Sequence, residues 1–113
     1  MNSKKKGNSG ELELLHFFHD AGFPVYRNDQ RYRGGIENPD LCLTVGNIQY
    51  HCEVKRTERL QLYEAMEQAV HDANGKTTPI VLHRKNRREW VVIMRLNDFL
   101  SLSKRKGLPQ NDD

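Results

Sequence analysis

The chain of 113 residues holds no apolar run approaching the roughly 18 residues that a membrane helix needs, which excludes a helical span. The opening MNSKKKGNSGE is basic but has no apolar core or cleavage site behind it, so nothing in it reads as a secretory leader. Cysteine is scarce. Cys42 and Cys52 form no CxxC pair of the zinc-binding kind, and their number suits a reducing compartment. No internal repeat or low-complexity segment appears beyond short polar ends. The expectation is one soluble cytoplasmic domain, since a chain this short has no room for a second core. That domain occupies residues 8–104, between a flexible basic tail at 1–7 and a flexible tail at 105–113.

What is present is clustered positive charge. Lys and Arg outnumber Asp and Glu by only 18 to 15, but they gather at Lys4–Lys6, at Arg27, Arg31 and Arg33, at Arg84–Arg88 and at Lys104–Lys106. Such clusters favour a polyanionic partner, although solvated loops and tails are also commonly basic.

Apolar residues at Leu14, Phe17, Phe18 and Ala21 recur with helical spacing, and Gly22 follows as a stop. Asn8-Ser9-Gly10-Glu11 fits a capping box for this helix. After a short strand at PVYR comes a loop whose Gly34-Gly35 pair lets the backbone bend or approach a ligand closely. Two alternating strands, 40–45 and 48–55, are joined at Gly46-Asn47. Leu62, Met66, Ala69 and Ala73 mark a second helix closed by Gly75; PIVLHRK and EWVVIMR read as two further strands; NDFLSLSK reads as a terminal helix with Asn97 as N-cap. The order α-β-β-β-α-β-β-α predicts an α/β fold around a mixed sheet.

A two-residue turn at Gly46-Asn47 makes facing residues sum to 93, so Asp40 opposes Glu53, Cys42 opposes His51 and Thr44 opposes Gln49. Leu41, Leu43, Val45, Ile48, Tyr50, Cys52 and Val54 then share one face, and Asp40, Cys42, His51, Glu53 and Lys55 the other. This argues against a disulfide between Cys42 and Cys52. Opposed side chains lie about 5 Å apart, where two like charges repel by roughly 3 kcal/mol at an effective dielectric near 20. A divalent cation between Asp40 and Glu53 removes that conflict, and Lys55 on the same face adds a point charge for a water or a phosphate oxygen. The alternative is an exposed hairpin face whose charges are only solvated. Glu11 falls on the inward stripe of the first helix, three, four and seven positions before Leu14, Leu15 and Phe18, and is either a metal ligand or the capping-box glutamate. His51 alone of the histidines faces the polar side, as a candidate phosphate contact, whereas Glu13 falls on the solvent side with His16 and Asp20.

Glu11 on a first helix, Pro39-Asp40 opening a strand and Glu53-Val54-Lys55 on the next resemble the PD-(D/E)XK nuclease superfamily. Among its small members the pattern is most similar to archaeal and phage-type Holliday-junction resolvases, over about residues 8–100. The resemblance implies a restriction-endonuclease-like fold, a central mixed sheet flanked by helices. It also implies an Mg²⁺-dependent DNA endonuclease, with Mn²⁺ as substitute, acting on branched DNA in a bacterial or phage-infected cell. Asp40 and Glu53 would bind metal, Glu11 would bind it directly or through water, Lys55 would position the attacking water, and Gln68 matches a recurrent glutamine of the second helix. Gln68 as an ordinary exposed helix residue is the alternative. Lys4, Lys5, Lys6, Arg27, Arg31, Arg33 and Arg56 are the candidate DNA contacts, and a homodimer is the expected assembly. Flap, nicked or plain duplex DNA as substrate, or a non-catalytic nucleic-acid-binding module of the same fold, are the competing readings.

Overall fold

Leu14, Leu15 and Phe18 direct one side of helix α1 (Ser3–Ala21) onto a sheet, and the helix stops where Gly22 turns the backbone to a φ of 89°. There the Gly22 and Phe23 N–H groups donate to the His19 and Phe18 carbonyls at 3.1 and 2.9 Å, which satisfies carbonyls that the last turn would leave bare. The computed structural model describes residues 3–27 and 41–104, with side chains from residue 9 onward. Because α1 begins at Ser3, it takes in part of the segment read as a tail, and Ser9 lies inside the helix. A capping-box serine must sit at a non-helical N-cap, so that role for Glu11 is excluded.

The strands are β1 (Val25–Arg27), β2 (Leu41–Val45), β3 (Ile48–Arg56), β4 (Thr78–Arg84) and β5 (Val91–Met94), and they lie in that order across one sheet of five. All neighbours are antiparallel except β3 and β4, which are parallel and joined by the crossover helix α2 (Leu62–Ala73). This is the mixed sheet flanked by helices that the element order predicts. Leu41 pairs with Cys52 and Val45 with Ile48, as the turn at Gly46-Asn47 requires.

The register sorts the side chains. Leu41, Cys52 and Ile80 lie in one row, and with Leu43, Tyr50, Val54 and Leu82 they form a core against Leu14 of α1. Glu53, Val81 and Ile93 lie in the adjacent row on the other face, where Ala65, Met66 and Ala69 of α2 pack on Val81. The alanines let α2 approach closely. Helix α2 therefore roofs the polar face of β3 at His51 and Glu53, while Gln49 at the hairpin's outer end stays exposed. No disulfide joins Cys42 to Cys52.

Asn74, with a left-handed φ of 54°, caps α2 and donates its N–H to the Val70 carbonyl at 3.2 Å, one residue before the predicted Gly75. A short helix, α3 (Leu96–Ser101), follows β5 and runs into a 3₁₀ turn, Leu102–Lys104. Its N-cap is Arg95, which is extended there, so Asn97 falls within the first turn. The Arg95 guanidinium donates to Asp98 Oδ2 at 2.9 Å, a link that spans the helix start.

Candidate active site

Alternation along β3 directs His51, Glu53 and Lys55 beneath and beyond α2. Glu53 has no exposed surface, and Lys55 Nζ lies 3.7 Å from its Oε2. Burying a carboxylate costs several kcal/mol unless other charges or dipoles compensate, so a fold that buries this one has placed it for chemistry or for a specific pairing.

Helix α2 supplies the opposing wall. Gln68 and Asp72 are one helical turn apart, and Gln68 Nε2 donates to Asp72 Oδ2 at 3.0 Å. The same oxygen is 4.0 Å from buried His51 Nε2, and Asp72 Oδ1 is 3.2 Å from His71 Nδ1. One ligand atom from each of His51, Glu53 and Asp72 can be chosen so that all three lie within 4.8 Å of one another. One imidazole and two carboxylates form a donor set that fits a divalent cation. Beside it an open cavity of about 320 Å³ is lined by Lys55, Thr57, Arg59, Gln61, Glu64 and Gln68.

The structure thus brings Glu53, Lys55 and Gln68 to one place. Glu11, fully buried, lies on α1 with its Oε1 2.6 Å from Arg27 Nε. Arg27 shares a row with Leu41 on the α1 side of the sheet. Asp40, Arg31 and Arg33 lie outside the described residues. Lys4, Lys5 and Lys6 belong to α1, and their side chains are likewise outside the description.

Two members of the site went unassigned as ligands in the sequence. His51 was legible as a polar-face residue two positions before Glu53, but Asp72 carries only the weak signal of lying four residues after Gln68. Glu13 faces solvent as expected, with 41% of its side chain exposed, but it is not idle there. It accepts from Trp90 Nε1 at 3.3 Å and lies 3.2 Å from Arg84 Nε and 3.6 Å from Arg56 Nε. Arg56, expected on DNA, keeps only 19% of its side chain exposed and also donates to Asn86 Oδ1 at 3.3 Å. On the far strand, a hydrogen bond with the paired Cys42, together with that thiol's charge and slight burial, raises the Tyr26 hydroxyl above its usual pKa.

A mixed five-stranded sheet with Glu53-Val54-Lys55 on its central strand is the architecture of a PD-(D/E)XK-type nuclease. The chain belongs to the archaeal Holliday junction resolvase family, Hjc, whose model matches residues 2–106. Among solved structures it is similar to Hjc of Archaeoglobus fulgidus, a Holliday junction resolvase from an archaeal hyperthermophile. The two share 28% identity and a TM-score of 0.59 over 79% of this chain and 72% of that one. A comparison with curated proteins gives no match.

Proposed function

We propose that the chain is a divalent-metal-dependent endonuclease that hydrolyses phosphodiester bonds in branched DNA, as a homodimer on four-way junctions. The observation that carries this reading is the buried Glu53 with Lys55 Nζ 3.7 Å away, both facing the cavity side of a sheet whose family is that of junction resolvases. Mg²⁺ is the expected cation, with Mn²⁺ able to replace it. Asp40 and Glu53 would hold it, with Asp72 and His51 beside Glu53 as further donors. A cation bound there supplies a more acidic water and stabilises charge that develops on the phosphate.

The protein's own part is positioning. Lys55 steers the attacking water or a non-bridging oxygen, and its ammonium offsets charge growing at the phosphorus. Gln68, held by Asp72, presents its amide at the rim of the cavity that the scissile strand would enter. Glu11 would meet the cation directly or through water while it also pairs with Arg27. Lys4, Lys5, Lys6, Arg27, Arg31 and Arg33 act on neighbouring phosphates, where they set affinity and register without bond making, whereas Arg56 is held by Glu13 and Asn86 and acts through the turn it braces.

For the second copy we assign the exposed Leu96, Phe99 and Leu100 of α3, which share one side of that helix. The cellular setting is the cytoplasm of a bacterium or phage-infected host. The test presents the purified protein with a four-way junction, a flap, a single strand and a duplex of one sequence, with Mg²⁺ and with chelator. Paired nicks in the junction that require the metal are expected. Equal cutting of flap or duplex would remove junction selectivity, and no cutting of any substrate with Mg²⁺ or Mn²⁺ would remove the nuclease reading.

A further inference from the structure

The turn joining β4 to β5 is the most basic segment among the described residues, and the site described above does not use it. Its sequence is Arg84-Lys85-Asn86-Arg87-Arg88. Parallel pairing sets Lys55 beside His83 and Arg56 beside Arg84, so the turn projects past the same sheet end as Lys55.

The turn is held from three sides. Arg84 lies under it, 3.2 Å from Glu13 and 5.9 Å from the centre of the Trp90 ring, and its Nη1 donates to the Arg88 carbonyl at 3.0 Å. The Asn86 N–H donates to Glu58 Oε2 at 2.8 Å, and the Asn86 side chain accepts from Arg56. The Arg88 N–H closes the turn on the Lys85 carbonyl at 3.1 Å, with Arg87 in the left-handed region at a φ of 62°. A non-glycine residue seldom adopts that conformation, and here the surrounding bonds impose it.

The outcome is a division of labour among the arginines. Arg56 and Arg84 are mostly buried and anchored on Glu13. Lys85, Arg87 and Arg88 are exposed, and among the described residues none of their side chains forms an ion pair or hydrogen bond. Three unneutralised cations on a braced turn lose little conformational freedom of the backbone on meeting a ligand. The turn presents no aromatic side chain on which a base could stack, because Trp90 is committed to Glu13 and Arg84. Single-strand binders rely on such stacking, whereas duplex backbone contacts need charge alone.

We propose that Lys85, Arg87 and Arg88 form a phosphate-backbone clamp for a duplex arm, braced by Arg84 on Glu13 and Trp90, that seats DNA beside Lys55. The assignment rests on the nuclease reading and adds a binding element to it. The experiment measures duplex and single-strand affinity across a salt series in chelator, so that no cleavage intervenes, for wild type and the triple variant Lys85→Gln/Arg87→Asn/Arg88→Gln. Asparagine tolerates the left-handed φ at position 87, and all three replaced side chains are exposed, so the variant should melt where wild type does. Each phosphate contact contributes about 0.9 to the slope of log K against log salt. The slope for duplex should therefore fall by about 2 to 3 in the variant and affinity at low salt by roughly a hundredfold, with single-strand affinity changing less. Unchanged duplex affinity and slope in a folded variant would overturn the clamp and leave the nuclease reading standing. A larger loss on single strand than on duplex would also overturn it. Wild-type protein that binds neither DNA would sink both.

Discussion

The Glu11 carboxylate lies 2.6 Å from Arg27 Nε, with the acid 1% and the arginine 45% exposed, so that a buried charge on α1 is fastened to strand β1. Removing the cation from a fully buried pair costs about 3–5 kcal/mol, but exposure of Arg27 lowers the expected loss to about 2 kcal/mol. Arg27→Gln should therefore lower the melting temperature by roughly 10 °C. Arg27→Gln with Glu11→Gln should recover part of that loss, because the buried charge that Arg27 balances is then removed as well. Thermal denaturation of the single and double variants measures the coupling, and additive losses would show that the contact carries none.

Glu53→Gln removes the carboxylate while preserving its volume in a fully buried position. Mn²⁺ or Mg²⁺ should raise the melting temperature of the wild type by binding the folded state, and that rise should vanish in Glu53→Gln together with cleavage. Asp72→Asn changes a group beside Glu53 that also holds Gln68, and should weaken metal binding by roughly 10- to 100-fold. Calorimetric titration of Mn²⁺ into the three proteins separates these outcomes. Equal affinity in Asp72→Asn would remove Asp72 from the metal site.

The hairpin was legible because a two-residue turn fixes the register, and register fixes which face each side chain takes. Gly46, at a φ of 65°, supplies the turn conformation, and Glu53 and Lys55 follow onto one face without further information. The inward position of Glu11 was legible from its spacing to Leu14 and Phe18, but its Arg27 partner was not. The start of α1 was misread because Asn8-Ser9-Gly10-Glu11 satisfies a local capping pattern that the longer helix overrides. Glu13 was legible as solvent-facing, but its ion pairs were not. Its partners Arg84 and Trp90 are 71 and 77 residues away in the chain, and only the stacking of α1 over the ends of β3 and β4 brings them together.

Gly10→Ala probes that stacking. A Cβ at Gly10 would lie 2.9 Å from Arg56 Cβ and 3.5 Å from the Trp90 ring. Alanine gains about 1 kcal/mol over glycine inside a helix, whereas forcing atoms into a packed contact costs about 1–3 kcal/mol. The Arg56 Cβ is tied to the β3 backbone and has little room to yield, so the cost should prevail. A fall of several degrees in melting temperature is expected, with a red shift in emission from Trp90, the chain's single tryptophan. A stabilised variant with unchanged emission would mean that α1 has room to move away from the sheet.

The dimer prediction turns on α3. Leu96, Phe99 and Leu100 are 69%, 57% and 52% exposed at i, i+3 and i+4 spacing, on a helix with no buried residue of its own. Two copies related by a two-fold axis would cover these faces against each other, and a two-fold axis also matches the two equivalent strands cut in a four-way junction. Phe99→Asp places a charge at the centre of the patch without disturbing the protomer's core, so it should yield a folded monomer with the same metal-dependent thermal shift. Sedimentation at micromolar concentration should show wild type as a dimer and the variant as a monomer, and the variant should nick junctions singly where wild type nicks them in pairs. In a mixed dimer with one Lys55→Ala chain, only one strand should be cut. A Phe99→Asp protein that still sediments as a dimer would move the interface off α3. A monomeric wild type that cuts duplex as fast as junction would end the junction assignment and leave the Glu53–Lys55 site as a general nuclease.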